Sequence, residues 1–324
     1  MLIALVASVL VTSAPAAPSV RDTSVFLSAE FTAGGLTRRY RLFVPERVRG
    51  GKPPALIVML HGCAQDPEDF ARGTRFNELA AAANALVLYP EQPVAANAKK
   101  CWNWYEPANQ QRDAGEPGLL AAMTRDVAKR YHVDDARIYV GGMSAGGAMA
   151  VVLVIAYPDL YAAVATHSGV ALGSARDLAS ALSAMQGRGP SADSLAAAAR
   201  SSMHNRARAI PLFAAHGTAD KVVSPAASDL IVGEFAGIDR LVLRMNVPLR
   251  VEAAPATGTG YPATVQLYRD RAGAVLIEQW RIDSLGHAFS GGSSDGSWTD
   301  PHGPPVAAAM LRFFLAHPMP RENR

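Results

Sequence analysis

The chain has 324 residues, 49% of them hydrophobic and 18% charged, with a formal net charge of +3. This composition suits one large folded domain that buries about three quarters of its unfolded surface, and it leaves no room for long disordered tails. So small a charge, with no Lys/Arg run, excludes nucleic acid as a partner, and a function is to be sought in a pocket.

The chain opens with MLIALVASVLVTSAPAAPSV, apolar from Leu2 to Val11 and then rich in small residues. Ala14-Pro15-Ala16 matches an A-x-A cleavage site, so residues 1–16 read as a secretory signal peptide, too short to anchor the chain in a bilayer. No Lys or Arg precedes the apolar run; the true start stays open, and a buried first strand is the alternative. The remainder, residues 17–324, reads as a single domain, with no linker, internal repeat or further segment long enough to insert in a membrane. Secretion or a periplasmic location follows from that leader.

SVFLSAEF and RYRLFVP flank Gly34-Gly35 as an antiparallel hairpin. ALIVML (55–60), ALVLY (85–89), RIYVGG (137–142), YAAVAT (161–166) and IPLFAA (210–215) are short, nearly continuous apolar runs. Strands of a parallel sheet buried on both faces look like this. The helix-like FNELAAAANA, EPGLLAAMTRDVAKRY, AGGAMAVVLVIAY and PPVAAAMLRFFLAH alternate with them, which predicts the α/β class, a mostly parallel sheet flanked by helices. TVQLYRD and AVLIEQWRI, around Arg271-Ala272-Gly273, predict a late hairpin. Residues 172–209 and 244–263 break the rhythm and are expected as insertions over the top of the sheet, forming either a lid or plain surface loops. The two cysteines, Cys63 and Cys101, can join in an exported protein; two unrelated buried thiols are the alternative. With so few thiols and no clustered histidines, no metal is expected.

Gly142-Met143-Ser144-Ala145-Gly146 matches G-x-S-x-G, in which a strand turns sharply into a helix and holds a serine at the tip. Small neighbours are needed because the turn is crowded. Gly292-Ser293-Ser294-Asp295-Gly296 matches the same pattern, but no strand precedes it and no helix follows. Ser144 is therefore the candidate nucleophile and Ser294 a loop residue.

A serine nucleophile needs a base and an orienting acid, which in this chain order fall after it. Of His167, His204, His216, His287, His302 and His317, His287 lies in SLGHAFSGG, a turn between a strand and the last helix. His302, in WTDPHGPP, is its rival. Asp220 sits in a turn after IPLFAA, whereas Asp229 falls in a helix and Asp270 and Asp283 flank hairpin strands. The expected triad is thus Ser144, Asp220 and His287. ALIVML leads into His61-Gly62-Cys63, so the amides of Cys63 and Ala145 are the expected oxyanion donors, with His61 as an orienting residue.

With LHGCAQ, CWNWYEPANQQRDAGEP, VGGMSAGGAMA, HGTADKVVSP, GHAFSGG and GSWTDPHGPP in order, the chain resembles the polyhydroxybutyrate depolymerase family of α/β-hydrolase esterases, which has feruloyl-esterase-like members. The resemblance covers about residues 35–316. It implies an α/β-hydrolase fold, a secreted serine esterase using the triad named above without a cofactor, and an ester such as a hydroxyalkanoate oligomer or polymer as the partner molecule. It also implies a Cys63–Cys101 disulfide. Trp102 and Trp104, with Phe289 and Trp298 near the histidine loop, are expected to wall the substrate cleft. Secreted polymer-degrading members carry a separate polymer-binding domain, and the sequence ends soon after FFLAHP; soluble oligomers or small esters are the expectation that follows. Feruloyl or acetyl esters of plant polysaccharide are the rival substrates. A catalytically inactive hydrolase fold used for binding, and a structural cell-surface protein, are the rivals of other kinds.

Overall fold

The computed structural model describes residues 25–46, 52–244, 250–255 and 260–320. The leader assigned to residues 1–16 lies outside them.

One twisted sheet of ten strands carries the fold. β1 (Val25–Ala33) and β2 (Leu36–Val44) form the hairpin around Gly34-Gly35, and β2 pairs antiparallel with β4 (Ala85–Pro90). β3 (Ala55–Leu60) lies between β4 and β5 (Ile138–Met143); β6 (Val164–His167) and β7 (Leu212–Gly217) follow, all parallel. β10 (Val275–Ile282) pairs parallel with β7. β9 (Ala263–Arg269) and β8 (Arg250–Pro255) extend the sheet antiparallel beyond it. The strand order is β1-β2-β4-β3-β5-β6-β7-β10-β9-β8. Among the described residues, no helix is long and apolar enough to cross a membrane.

The two faces of the sheet are sorted by alternation. On β3, Leu56, Val58 and Leu60 join one apolar cluster, while Ala55, Ile57 and Met59 join the other, and all six are fully buried. A strand covered on both sides has no polar alternation, which is why its six letters read as an unbroken run. α3 (Gly115–Arg130), α4 (Ala145–Ala156), α6 (Ala192–Ser202) and α7 (Pro225–Val242) supply the first cluster. α1 (Pro67–Thr74), α2 (Phe76–Ala83) and α8 (Val306–Ala316) supply the second. Local signals start several of these helices. Asp66 accepts from the Asp69 amide with Pro67 in the first turn of α1, and Ser224 accepts from the Ala226 amide with Pro225 opening α7.

The two irregular stretches have different fates. Residues 172–209 fold into α5 (Leu178–Met185), closed by an Asp177–Ser180 capping box, and then α6. The second stretch, 244–263, is not an insertion over the sheet: it contains β8, the edge strand. RVEAAP shows no apolar alternation, and Val251 through Pro255 are all exposed, so these residues need no apolar face.

On α7, the fully buried Asp239 accepts a hydrogen bond from the Ile210 amide through Oδ1, and its Oδ2 has no partner among the described residues. Burial raises its carboxyl to about 8, against the Ile210 amide and the Arg208 charge. Between about pH 4 and 8 the folded chain thus keeps a proton that the unfolded chain releases, and folding weakens as pH rises through that window. Asp239→Asn, which mimics the protonated form, should gain about 1–3 kcal/mol over wild type between pH 5 and 8. Urea midpoints at both pH values check this; an unchanged gap would show that the carboxyl holds no proton.

Candidate active site

β5 runs into α4 through Ser144, whose φ of 54° and ψ of −122° are rare for a residue with a side chain. A conformation of that kind costs about 1–3 kcal/mol and survives only where its surroundings impose it. They do so here: the Ser144 amide donates to His167 O at 2.8 Å, and Ser144 O accepts from the Ala148 amide at 2.9 Å. The flanking glycines answer to the same crowding. A Cβ on Gly142 would stand 2.5 Å from the Gly146 carbonyl, and one on Gly146 would stand 2.1 Å from Leu60 O. No side chain caps α4, so its first amides face outward beside the serine, where a developing negative charge is favoured.

The loop after β10 brings His287 to this point. Its Nε2 lies 3.0 Å from Ser144 Oγ and its Nδ1 lies 2.7 Å from Asp220 Oδ2. The carboxylate can only accept, so Nδ1 carries the proton and the bare Nε2 faces the hydroxyl. Asp220 is held by its own loop: Oδ1 accepts from the Val222 and Val223 amides, each at 2.9 Å. Burial pushes its carboxyl up, but hydrogen bonds from His216 and His287 outweigh this and keep it well below the usual carboxylate range. Chemically, the set can take a proton from Ser144 and stabilise the imidazolium that results.

His61 and Gly62 bring the loop after β3 against the serine; a Cβ on Gly62 would stand 3.5 Å from Ser144 Cβ. His61 is fully buried. Its Nε2 accepts from the Gln92 amide at 3.1 Å and its Nδ1 donates to Gly62 O at 2.8 Å. Burial lowers the ring to about 4, so it orients the loop as an uncharged group and does not act as a base. The next residue, Cys63, is joined by a disulfide to Cys101. Cys63 and Ala145 line the same cavity as Ser144.

That cavity, of about 360 Å³, is mostly apolar, walled by Trp104, Tyr105, Val170, Leu178, Leu182 and Met185. Leu178, Leu182 and Met185 come from α5, so the first irregular stretch forms part of the pocket wall. Of the four expected aromatics, only Trp104 lines the cavity. Trp298, 48% exposed, packs edge-on to the His287 ring with centroids 6.0 Å apart. Trp102 and Phe289 correct the expectation. Both are fully buried, Trp102 beside the His61 ring and Phe289 between Phe70 and His167. They pack behind the loops of the site, where their rings add buried apolar area, and Trp102 Nε1 has no hydrogen-bond partner among the described residues. The rival His302 lies in an exposed turn, bonded to Asp300.

A buried polar cluster behind the CWNWY loop escaped the sequence reading. Glu116 accepts from the Asn103 amide at 2.8 Å, from Asn103 Nδ2 at 2.9 Å and from Gln92 Nε2, with the Arg38 guanidinium 3.6 Å away. Gln92 also donates to Cys101 O at 3.0 Å. The only signal was Asn103, a polar letter between two tryptophans in CWNWYEPANQQRDAGEP.

The model of a family described as esterase PHB depolymerase matches residues 39–247. Poly(3-hydroxyalkanoate) depolymerase C of Paucimonas lemoignei is 29% identical over 284 residues, 85% of this chain and 65% of that protein. Feruloyl esterase B of Neurospora crassa is 35% identical over 134 residues, 41% of this chain and 44% of that protein. The chain thus spans less than two thirds of the length of either relative. The structure of an acetyl xylan esterase from Aspergillus awamori superposes with a TM-score of 0.68, covering 86% of this chain and 93% of that one, at 19% identity. That likeness is one of fold, and it assigns the α/β-hydrolase architecture.

The Cys63–Cys101 bond closes a loop of sequence separation 38. Replacing both cysteines by serine should cost about 4 kcal/mol of stability by the chain-entropy account, read as a lower urea midpoint. Reaction of Ser144 with a fluorophosphonate should also slow several-fold below that midpoint, as the Cys63 loop loosens; an unchanged rate in the folded double variant would show that the loop holds without sulfur.

Proposed function

The chain belongs to the PHB depolymerase esterase family, and from that premise we propose that it is an exported serine esterase for apolar esters of the hydroxyalkanoate type, working through Ser144, His287 and Asp220. The observation that carries the reading is the unbroken hydrogen-bonded line from Asp220 through His287 to Ser144 at the floor of an apolar pocket. His287 Nε2 takes the Ser144 proton as Oγ attacks the ester carbonyl, and Asp220 holds the imidazolium. The carbonyl oxygen, now an anion, is met by the Cys63 and Ala145 amides; losing one such donor costs serine hydrolases about 3 kcal/mol. The alcohol leaves with the proton from Nε2, and water, deprotonated by the same nitrogen, releases the acid from the acyl-enzyme.

The substrate part of the reading is supported by what surrounds the pocket. Leu178 and Leu182 on α5, Val222 beside the acid loop and Trp298 beside His287 are large apolar side chains left exposed. Leu178 and Leu182 line the cavity itself, and exposed apolar residues there suit an ester chain without charge. Trp104 and Tyr105, ring centroids 5.7 Å apart, favour a second reading in which an aromatic acyl group such as ferulate is the substrate. Export is supported by the Cys63–Cys101 disulfide, which persists in oxidising compartments.

The test is a hydrolysis panel of an aryl butyrate, 3-hydroxybutyrate oligomers, amorphous polyhydroxybutyrate and methyl ferulate. Wild type should cleave the hydroxybutyrate esters, and Ser144→Ala should lose at least about 10³-fold in kcat. Cleavage of ferulate alone would overturn the substrate. An inert wild type whose Ser144 does not react with a fluorophosphonate would overturn the catalytic reading and leave a binding protein.

A further inference from the structure

β7 ends in His216-Gly217, just before the loop that holds Asp220. His216 is 2% exposed, and its Nε2 stands 2.9 Å from Val223 O and 3.2 Å from Asp220 Oδ2. A carbonyl oxygen only accepts, so Nε2 carries the proton and Nδ1 is bare. Nδ1 is buried with no hydrogen-bond partner among the described residues. An imidazole that leaves one nitrogen unpaired in the interior packs worse than a leucine would. What a leucine lacks is the single N–H, which is bonded to the Val223 carbonyl at 2.9 Å and shared with the Asp220 carboxylate at 3.2 Å.

We propose that His216 is a positioning residue for Ser144, His287 and Asp220, its one N–H locking the plane of the Asp220 carboxylate and drawing off part of its charge. The proposal rests on the esterase reading of this site. Asp220 is then held at both oxygens: by the Val222 and Val223 amides on Oδ1, and by His287 on Oδ2, with the shared His216 N–H 3.2 Å from Oδ2 as the weaker second partner. The carboxylate cannot turn without breaking bonds at both ends, so Oδ2 stays aimed at His287. The same N–H bonds the carbonyl of Val223, a residue that lines the cavity. One ring thereby anchors both the acid and a piece of the pocket wall.

The titratable groups around Asp220 are His216 from β7, His287 from the loop after β10 and His167 from β6, with electrostatic coupling among all of them. Burial lowers His167 to about 3, so it carries no charge where the enzyme would work. Removing the His216 N–H has two separable effects. The carboxylate loses its fixed plane, which lowers kcat. It also keeps more charge for its remaining partner, which favours the imidazolium and moves the acidic limb of the pH profile upward. Simple loosening of the fold would lower activity without moving that limb.

The experiment compares pH profiles of kcat and kcat/KM for wild type, His216→Leu and His216→Gln on an aryl butyrate, normalised by fluorophosphonate titration of Ser144. Glutamine offers an amide N–H at about the reach of the ring nitrogen. The leucine variant should lose about tenfold in kcat, with its acidic limb raised by about half a pH unit; the glutamine variant should recover most of both. A leucine variant with the wild-type limb, or a glutamine variant no better than leucine, overturns the proposal. Should the leucine variant fail to fold, nitrogen-15 NMR of the wild-type imidazoles decides: an Nε2-protonated His216 is expected, and an Nδ1-protonated one overturns it. An inert wild type with an unreactive Ser144 would sink the esterase reading instead, and the NMR result would still stand on its own.

Discussion

The site depends on one close approach, that of the first turn of α4 to the end of β3. Leu60 O stands where a Cβ on Gly146 would be, within 2.1 Å of it. Only glycine permits this, and the contact leaves a single residue in which strand can become helix. Ser144 is that residue. Its strained φ is the cost of the contact, carried by the surrounding backbone hydrogen bonds. The contact also sets the loop after β3 alongside the serine, so an uncapped helix end and the Cys63 loop face one point. A hydroxyl, outward-facing amides and an apolar floor thus follow from a packing distance.

Around that point, histidines serve chiefly as rigid spacers whose tautomers are dictated by what they touch. His61 takes the Gln92 amide on one nitrogen and gives a proton to Gly62 O from the other. His167 accepts from the Ser290 amide at 3.3 Å and donates to Ser168 Oγ at 3.1 Å. Burial lowers both rings far enough that neither carries charge at neutral pH. The charge buried beside the serine is that of Asp220, whose oxygens meet only donors. Charge is thereby concentrated on the one group that can stabilise an imidazolium.

The parts of this arrangement that were legible in the amino-acid sequence are those with strong local constraints. Buried parallel strands announce themselves as unbroken apolar runs. Ser144 is marked by glycines that nothing else could replace, and the decoy Ser294 is dismissed by lacking a strand and a helix. His287 and Asp220 could be chosen because each sits in a turn at a strand end, and the structure sets them in one hydrogen-bonded line with the serine. What could not be read depends on long-range packing. Trp102 and Phe289 look like cleft aromatics in the sequence, but their rings fill space behind the loops. β8 has no apolar pattern because an exposed edge strand needs none. Gln92, Asn103 and Glu116 form one cluster across 24 residues of chain, and no spacing rule connects them.

The pocket is built from two pieces with different attachments. Asp220, His287 and Ser144 follow the ends of β7, β10 and β5, in segments tied to the sheet by backbone bonds such as the Ser144 amide to His167 O and the Thr218 amide to Ile282 O. α5, which supplies much of the apolar wall, belongs to a segment strung between β6 and β7. It meets the rest of the site through a few bonds, such as the Ser224 amide to Met185 O at 2.7 Å and the Gln110 side chain bridging Trp104 O and Ala175 O. Mutations in that segment therefore fall on shape and not on reactivity. Rewriting that one short helix would reshape the pocket while leaving the hydrogen-bonded line from Asp220 through His287 to Ser144 in place beneath it.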